Sequence, residues 1–90
     1  MIKHLEVKIY GKVQGVFFRS SAGRKAEELA VSGFAQNLLD GSVYVEAEGE
    51  EGNLKNFLEW CRIGPSGSEV QKIIYKFSDK LKNFKDFEIK

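Results

Sequence analysis

The stretch Gly11-Lys12-Val13-Gln14-Gly15-Val16-Phe17-Phe18-Arg19-Ser20-Ser21 holds two glycines, one arginine and two hydroxyls, with no histidine, cysteine or carboxylate. Glycines permit backbone geometries in which successive N–H groups point into one concavity, a nest that attracts anions. A helix starting there adds unpaired N–H groups and the positive end of its dipole. Arg19 contributes a planar donor fork that stays charged and matches two oxygens of a phosphate or carboxylate. Oxyanion binding is therefore the chemistry these residue types allow. Two commoner phosphate loops are excluded, because no Gly-Lys-Ser/Thr closes the stretch and the dinucleotide glycine spacing is absent. On this stretch alone, an oxyanion site and a tight strand-to-helix turn bearing a surface arginine both remain open.

A second stretch, Gly33-Phe34-Ala35-Gln36-Asn37-Leu38-Leu39-Asp40-Gly41-Ser42-Val43, places a carboxamide just before a turn. Asn37 is both donor and acceptor and can face the first loop across a narrow sheet. It can equally open the hairpin as an Asx-turn residue. Other chemical candidates read as structural. His4 falls on the polar side of an alternating run, so an exposed strand residue is expected. Cys61 sits on an apolar helix stripe, as an inert core thiol does. Trp60 reads as packing at the sandwich edge. Glu46, Glu48, Glu50 and Glu51 read as a solvated face, and no metal is implied.

The elements that must hold these residues follow from periodicity. His4 to Tyr10 alternates, with Leu5, Val7 and Ile9 on one face and His4, Glu6 and Lys8 on the other, which predicts a strand with one buried face. Ser20 or Ser21 is expected to cap a helix. Ala22, Ala26, Leu29 and Ala30 line one side of that helix, and Ser32-Gly33 ends it. Asp40-Gly41 supplies hairpin chemistry, and Val43, Val45 and Ala47 alternate on the return strand. Leu54, Phe57, Leu58 and Cys61 at helical spacing predict a second amphipathic helix, stopped by residues 63–68. Val70 to Phe77 is β-branched and aromatic, hence a strand. Lys80 to Lys85 reads as a charged, mobile loop, and Phe87 and Ile89 mark a short final strand.

The order is β-α-β-β-α-β with a small extra strand. Two helices in so short a chain cover one face of a sheet and leave the other partly wet. The expected fold is a ferredoxin-like α+β sandwich with an antiparallel sheet of four to five strands.

The 90 residues are expected to form a single domain, residues 1–90. Fourteen basic against 13 acidic residues give a net charge of +1, which argues against nucleic acid as the main partner. One cysteine excludes an intrachain disulfide. The charged start, MIKHLEVKIYGK, is neither a signal peptide nor a membrane span, so a cytoplasmic protein without a membrane partner is expected.

GKVQGVFFR resembles the Gly-x-Val-Gln-Gly-Val-x-Phe-Arg signature of the acylphosphatase family, and GFAQNLLDGSV resembles its second signature. The likeness extends to Ala26, Leu29, Gly49, Gly64-Pro65 and the closing Phe87-x-Ile89. Departures are Ala30, where family members often end the helix with glycine, Ala35-Gln36 before the asparagine, and Ser66-Gly67-Ser68 after Gly-Pro. The resemblance implies metal-independent hydrolysis of an acyl phosphate, a small-molecule substrate, to a carboxylate and inorganic phosphate, without a cofactor. It implies that the backbone N–H groups of Gly15, Val16, Phe17, Phe18 and Arg19 cradle the phosphate. It also implies that the Arg19 side chain stabilises its charge and that Asn37 orients the attacking water, with Gln14 shaping the loop. Inorganic phosphate is expected as product and inhibitor, and a monomer is expected. Three other readings stay in view: a single-stranded RNA binder of the same topology, an anion-binding or carbamoyl-phosphate-handling module, and a phosphate binder with slow turnover. The acidic third strand, SVYVEAEG, lacks the aromatics and basic run that RNA binding needs.

Overall fold

The computed structural model describes residues 1–90. Alternation settles β1 (Ile2–Lys12), in which Leu5, Val7 and Ile9 are fully buried. It lies at the heart of a five-stranded sheet of order β4-β1-β3-β2-β5. The other strands are β2 (Ser32–Asn37), β3 (Val43–Glu50), β4 (Glu69–Ser78) and β5 (Phe87–Ile89). Register holds the apolar residues together: Val7 stands opposite Val45 on β3 and Tyr75 on β4.

The helices α1 (Phe18–Glu28) and α2 (Glu51–Ile63) pack on the face carrying Leu5, Val7, Ile9, Val43, Val45 and Ala47. α2 buries Leu54, Phe57, Leu58 and Cys61, the stripe its spacing predicts. Burying a side chain such as Phe57 contributes about 1.5–3 kcal/mol. α1 buries Phe18, Ala22 and Ala26, and small residues there let the helix lie close to the sheet. No helix is long and apolar enough to cross a membrane.

The ferredoxin-like α+β sandwich is thus the observed architecture, with one change to the sheet. β5 pairs with β2 in parallel, Gly33 with Phe87 and Ala35 with Ile89, so the sheet is mixed rather than antiparallel. The reason is the route of the chain. After β4, on one edge, residues 79–86 cross the helix-free face and deliver β5 to the opposite edge.

That crossing overturns two expectations. The segment Lys80–Lys85 is a pinned strap: the Glu48 carboxylate accepts from the backbone N–H groups of Lys82 at 2.6 Å, Asn83 at 2.9 Å and Phe84 at 3.4 Å. Phe84 stacks on His4 and meets the edge of Phe34. Beneath it His4 is only 3% exposed and Glu46 and Glu48 each 5%, where solvated residues were expected. His4 Nδ1 lies 2.6 Å from Glu48 and Nε2 lies 3.1 Å from Glu46, and Lys82 Nζ reaches Glu46 at 2.9 Å. Burial pushes both carboxyl groups up. Lys82 and Tyr44 more than offset this at Glu46, and the strap N–H groups with His4 do so at Glu48, so both end below the usual carboxylate range.

Candidate functional site

A bulge ends β1 and aims the chain at α1. Register against β4 shifts between Tyr10 and Gly11, which bends a strand locally. Gly11 sits at φ +130, and a Cβ there would meet the Glu69 carbonyl oxygen at 2.1 Å, so glycine alone lets the strands approach here. Beyond it, Gly15 (φ 76) and Phe17 (φ 61) are both left-handed, with Val16 between them. Such alternation turns neighbouring N–H groups toward one side. The N–H groups of Gly15, Val16 and Phe17 donate to no other residue of the chain. Those of Phe18 and Arg19 open α1, where no preceding turn supplies carbonyls.

The expected serine cap is absent. Phe17 occupies the cap position with no side-chain bond to the helix N–H groups. Ser20 and Ser21 lie inside α1, and the Ser20 hydroxyl donates to the Phe17 carbonyl oxygen at 3.3 Å. A serine cap would have consumed the donors that an anion needs, and here they stay open.

These residues line a cleft of about 270 Å³ formed by Val13, Gly15, Phe17, Phe18, Arg19, Ser20, Asn37 and Ile89. Arg19 and Asn37, 18 positions apart in sequence, therefore share one wall-to-wall site. Val16 stands apart, since its side chain packs against the core. A larger groove of about 710 Å³ between α1 and residues 84–89 contains none of Gly15, Arg19 and Asn37.

Arg19 is held from one end. Its guanidinium donates to the Lys90 carbonyl oxygen at 2.6 Å, and the Lys90 N–H donates to the Ala35 carbonyl oxygen at 2.8 Å. A guanidinium carries five N–H donors, so one bond orients the fork and leaves most of it for a ligand. Asn37 ends β2 opposite Val43. Its Oδ1 is buried and accepts no hydrogen bond within the protein. Buried acceptors without partners are rare, and this one lines the cleft.

The Asx-turn role falls to Asp40 rather than Asn37. The Asp40 carboxylate accepts from the Ser42 N–H at 3.0 Å and also from the Ser42 hydroxyl, and Lys8 Nζ lies 3.1 Å away. The two bonds from Ser42, with help from Lys8, lower the Asp40 carboxyl to about 2. Gln14 joins this hairpin to the first loop. Its Nε2 donates to the carbonyl oxygens of Leu38 at 2.7 Å and Ser42 at 2.9 Å, which supports its reading as a loop-shaping residue. Cys61 is fully buried and its thiol is pushed up by burial, as an inert core thiol should be. Trp60 packs on Phe18 and Phe57.

Sequence reasoning missed Ile89 as part of the cleft and Lys90 as the anchor of Arg19. Only their place in a terminal alternating stretch marked them, and nothing local tied them to Arg19.

Comparison with known proteins identifies the family. A family model described as Acylphosphatase matches residues 5–89. A Marinobacter nauticus protein named acylphosphatase is 40% identical over 86 residues, covering 96% of this chain and 94% of the relative. The structure of an acylphosphatase from Coxiella burnetii superposes with a TM-score of 0.93 at 35% identity, over 99% of this chain and 93% of that one. The Bacillus subtilis acylphosphatase crystal structure gives 0.93 at 32% identity, over 99% and 98%.

Proposed function

The chain belongs to the acylphosphatase family, and from that premise we propose that it hydrolyses the carboxyl–phosphate bond of small acyl phosphates through the cleft between Arg19 and Asn37. The observation that carries the mechanism is the buried, unpartnered Oδ1 of Asn37 in the same cleft as Arg19 and the free loop N–H groups.

The backbone N–H groups of Gly15, Val16, Phe17, Phe18 and Arg19 cradle the phosphoryl oxygens. The Arg19 fork, steadied by Lys90, neutralises the charge that spreads over them during transfer. Asn37 Oδ1 accepts a hydrogen bond from a water and holds it in line with the bond to be broken. The water oxygen bonds to phosphorus while the phosphorus–acyl oxygen bond breaks, and the acyl oxygen leaves as a carboxylate. A phosphate oxygen takes the water's proton, so the site needs neither an acidic nor a basic side chain. Phosphoryl transfer rewards such positioning and fixed charge over covalent chemistry. Inorganic phosphate, the product, competes for the same cradle.

The deciding experiment is hydrolysis of benzoyl phosphate in the presence of a chelator. Turnover inhibited competitively by phosphate is expected. Removing a preorganised donor costs about 10² to 10³ in rate, so Arg19→Gln should lose at least that much. Asn37→Ala should lower kcat by a similar factor while changing phosphate affinity far less. Full activity in Arg19→Gln would refute the assignment. So would a rate profile governed by an enzyme group titrating near neutrality, against the proton transfer to substrate.

A further inference from the structure

The two adjacent phenylalanines of the loop part company. Phe18 is 2% exposed and packs on Trp60 with ring centroids 5.3 Å apart. Phe17 is 81% exposed and left-handed at φ 61, a conformation that a bulky side chain adopts only under strain. Its ring makes no close aromatic pair in the structure, and the hydrophobic core does not include it. Glycine would satisfy this backbone without strain and would still supply the N–H group. The fold therefore gains nothing from the Phe17 ring.

Phe17 is instead one of the residues lining the cleft, and the cleft is divided in character. Gly15, Arg19, Ser20 and Asn37 provide polar atoms, while Val13, Phe17, Phe18 and Ile89 provide hydrocarbon. An acyl phosphate has the same two halves. Its phosphoryl group belongs at the N–H cradle and Arg19, which leaves the acyl group to meet the apolar remainder. Val13 and Phe18 are buried in the core at 1% and 2% exposure, so Phe17 at 81% and Ile89 at 47% are the exposed members of that remainder, and of these two Phe17 alone carries a flat aromatic face.

We propose that the Phe17 side chain is a specificity residue that recognises the acyl half of the substrate, so that this chain prefers acyl phosphates with an aromatic or branched apolar acyl group over acetyl-sized ones. The inference rests on the acyl phosphate hydrolysis proposed above. The ring acts on the leaving carboxylic acid, separately from the backbone N–H of the same residue. A large flat acyl group stacks on the ring and leaves water, whereas an acetyl group covers little of it.

The test measures kcat/KM for benzoyl phosphate and acetyl phosphate on the intact chain, on Phe17→Gly and on Phe17→Leu. The benzoyl-to-acetyl ratio, rather than either rate, is the readout. It should fall about two- to twelvefold in Phe17→Gly, the range expected for losing one aromatic contact, with Phe17→Leu in between. Phe17→Gly should melt no lower than the parent, since glycine suits φ 61, and Phe17→Leu keeps the test open if it does not. An unchanged ratio, with both rates shifting together, would overturn the proposal and make Phe17 a loop-shaping residue alone. Failure of the parent to hydrolyse either compound would instead overturn the hydrolase reading itself.

Discussion

Ala30→Gly should make this protein more stable, and the size of the gain can be worked from the end of α1. The Val31 N–H donates to the Ala26 carbonyl oxygen at 2.8 Å, and the Ala30 N–H donates to the Glu27 carbonyl oxygen at 3.2 Å. Those two bonds are the paired closure of a Schellman motif, in which the residue after the cap turns left-handed and glycine is the usual occupant. Ala30 holds that place at φ 55. A left-handed residue with a Cβ costs about 1–2 kcal/mol. Glycine returns part of this by loosening the unfolded chain, at about 0.5–1 kcal/mol. The Ala30 methyl is exposed, so its removal forfeits little burial. The net gain is about 0.5–1 kcal/mol, which raises the Tm of a domain this size by about 2–8 °C. Urea unfolding should show a higher midpoint with an unchanged slope. An unchanged or lower midpoint at constant slope would refute the reasoning, because it would mean that the turn carries no strain for glycine to relieve.

Three other perturbations follow from named contacts. Gln14→Leu removes two hydrogen bonds to carbonyls that each keep one backbone donor, and should cost about 1–3 kcal/mol while lowering kcat, measured on benzoyl phosphate, as Asn37 loses its fixed relation to the proposed cradle. Glu48→Ala releases three strap N–H groups and leaves His4 short of a partner. Breaking a buried pair in this way should cost about 3–5 kcal/mol in urea unfolding. The Asp40 carboxyl is lowered to about 2 in the folded chain from an ordinary 3.8. Its contribution to the hairpin is therefore present above pH 4 and is lost as the pH falls toward 2. Carboxyl NMR titration should place its midpoint there, and Asp40→Asn should remove that part of the acid dependence.

Periodicity carried most of the fold because β1 and α2 each bury one face. Leu5, Val7 and Ile9 could face only a core, and the stripe on α2 had only one side to bury. The bent loop with open donors was legible for a similar reason: glycines at a strand-to-helix junction let the chain turn while its N–H groups stay unpaired. What sequence did not reveal depends on chain that arrives from far away. His4, Glu46 and Glu48 alternate as any wet face does, and they are dry only because the strap crosses them. A Phe84 embedded among lysines was the one local sign that the loop had something to cover. Lys90 holds Arg19 because β5 lands beside β2, and no spacing rule predicts that landing. The serine caps misled because Ser20 and Ser21 suit a helix start, yet the left-handed Phe17 opens the helix earlier.

The Arg19–Lys90 bond joins positions 71 apart, and Gln14 reaches across 24 and 28 positions to Leu38 and Ser42. Closing such long loops costs chain entropy that local helices and the β2–β3 hairpin do not face. The cleft thus exists only in the completely assembled protein. An anion bound there has no partial site to hold in a half-folded chain, so its binding free energy adds to the stability of the whole molecule. A phosphate held in the proposed site would in this sense act as a clasp, tightening regions of the sheet that it never touches.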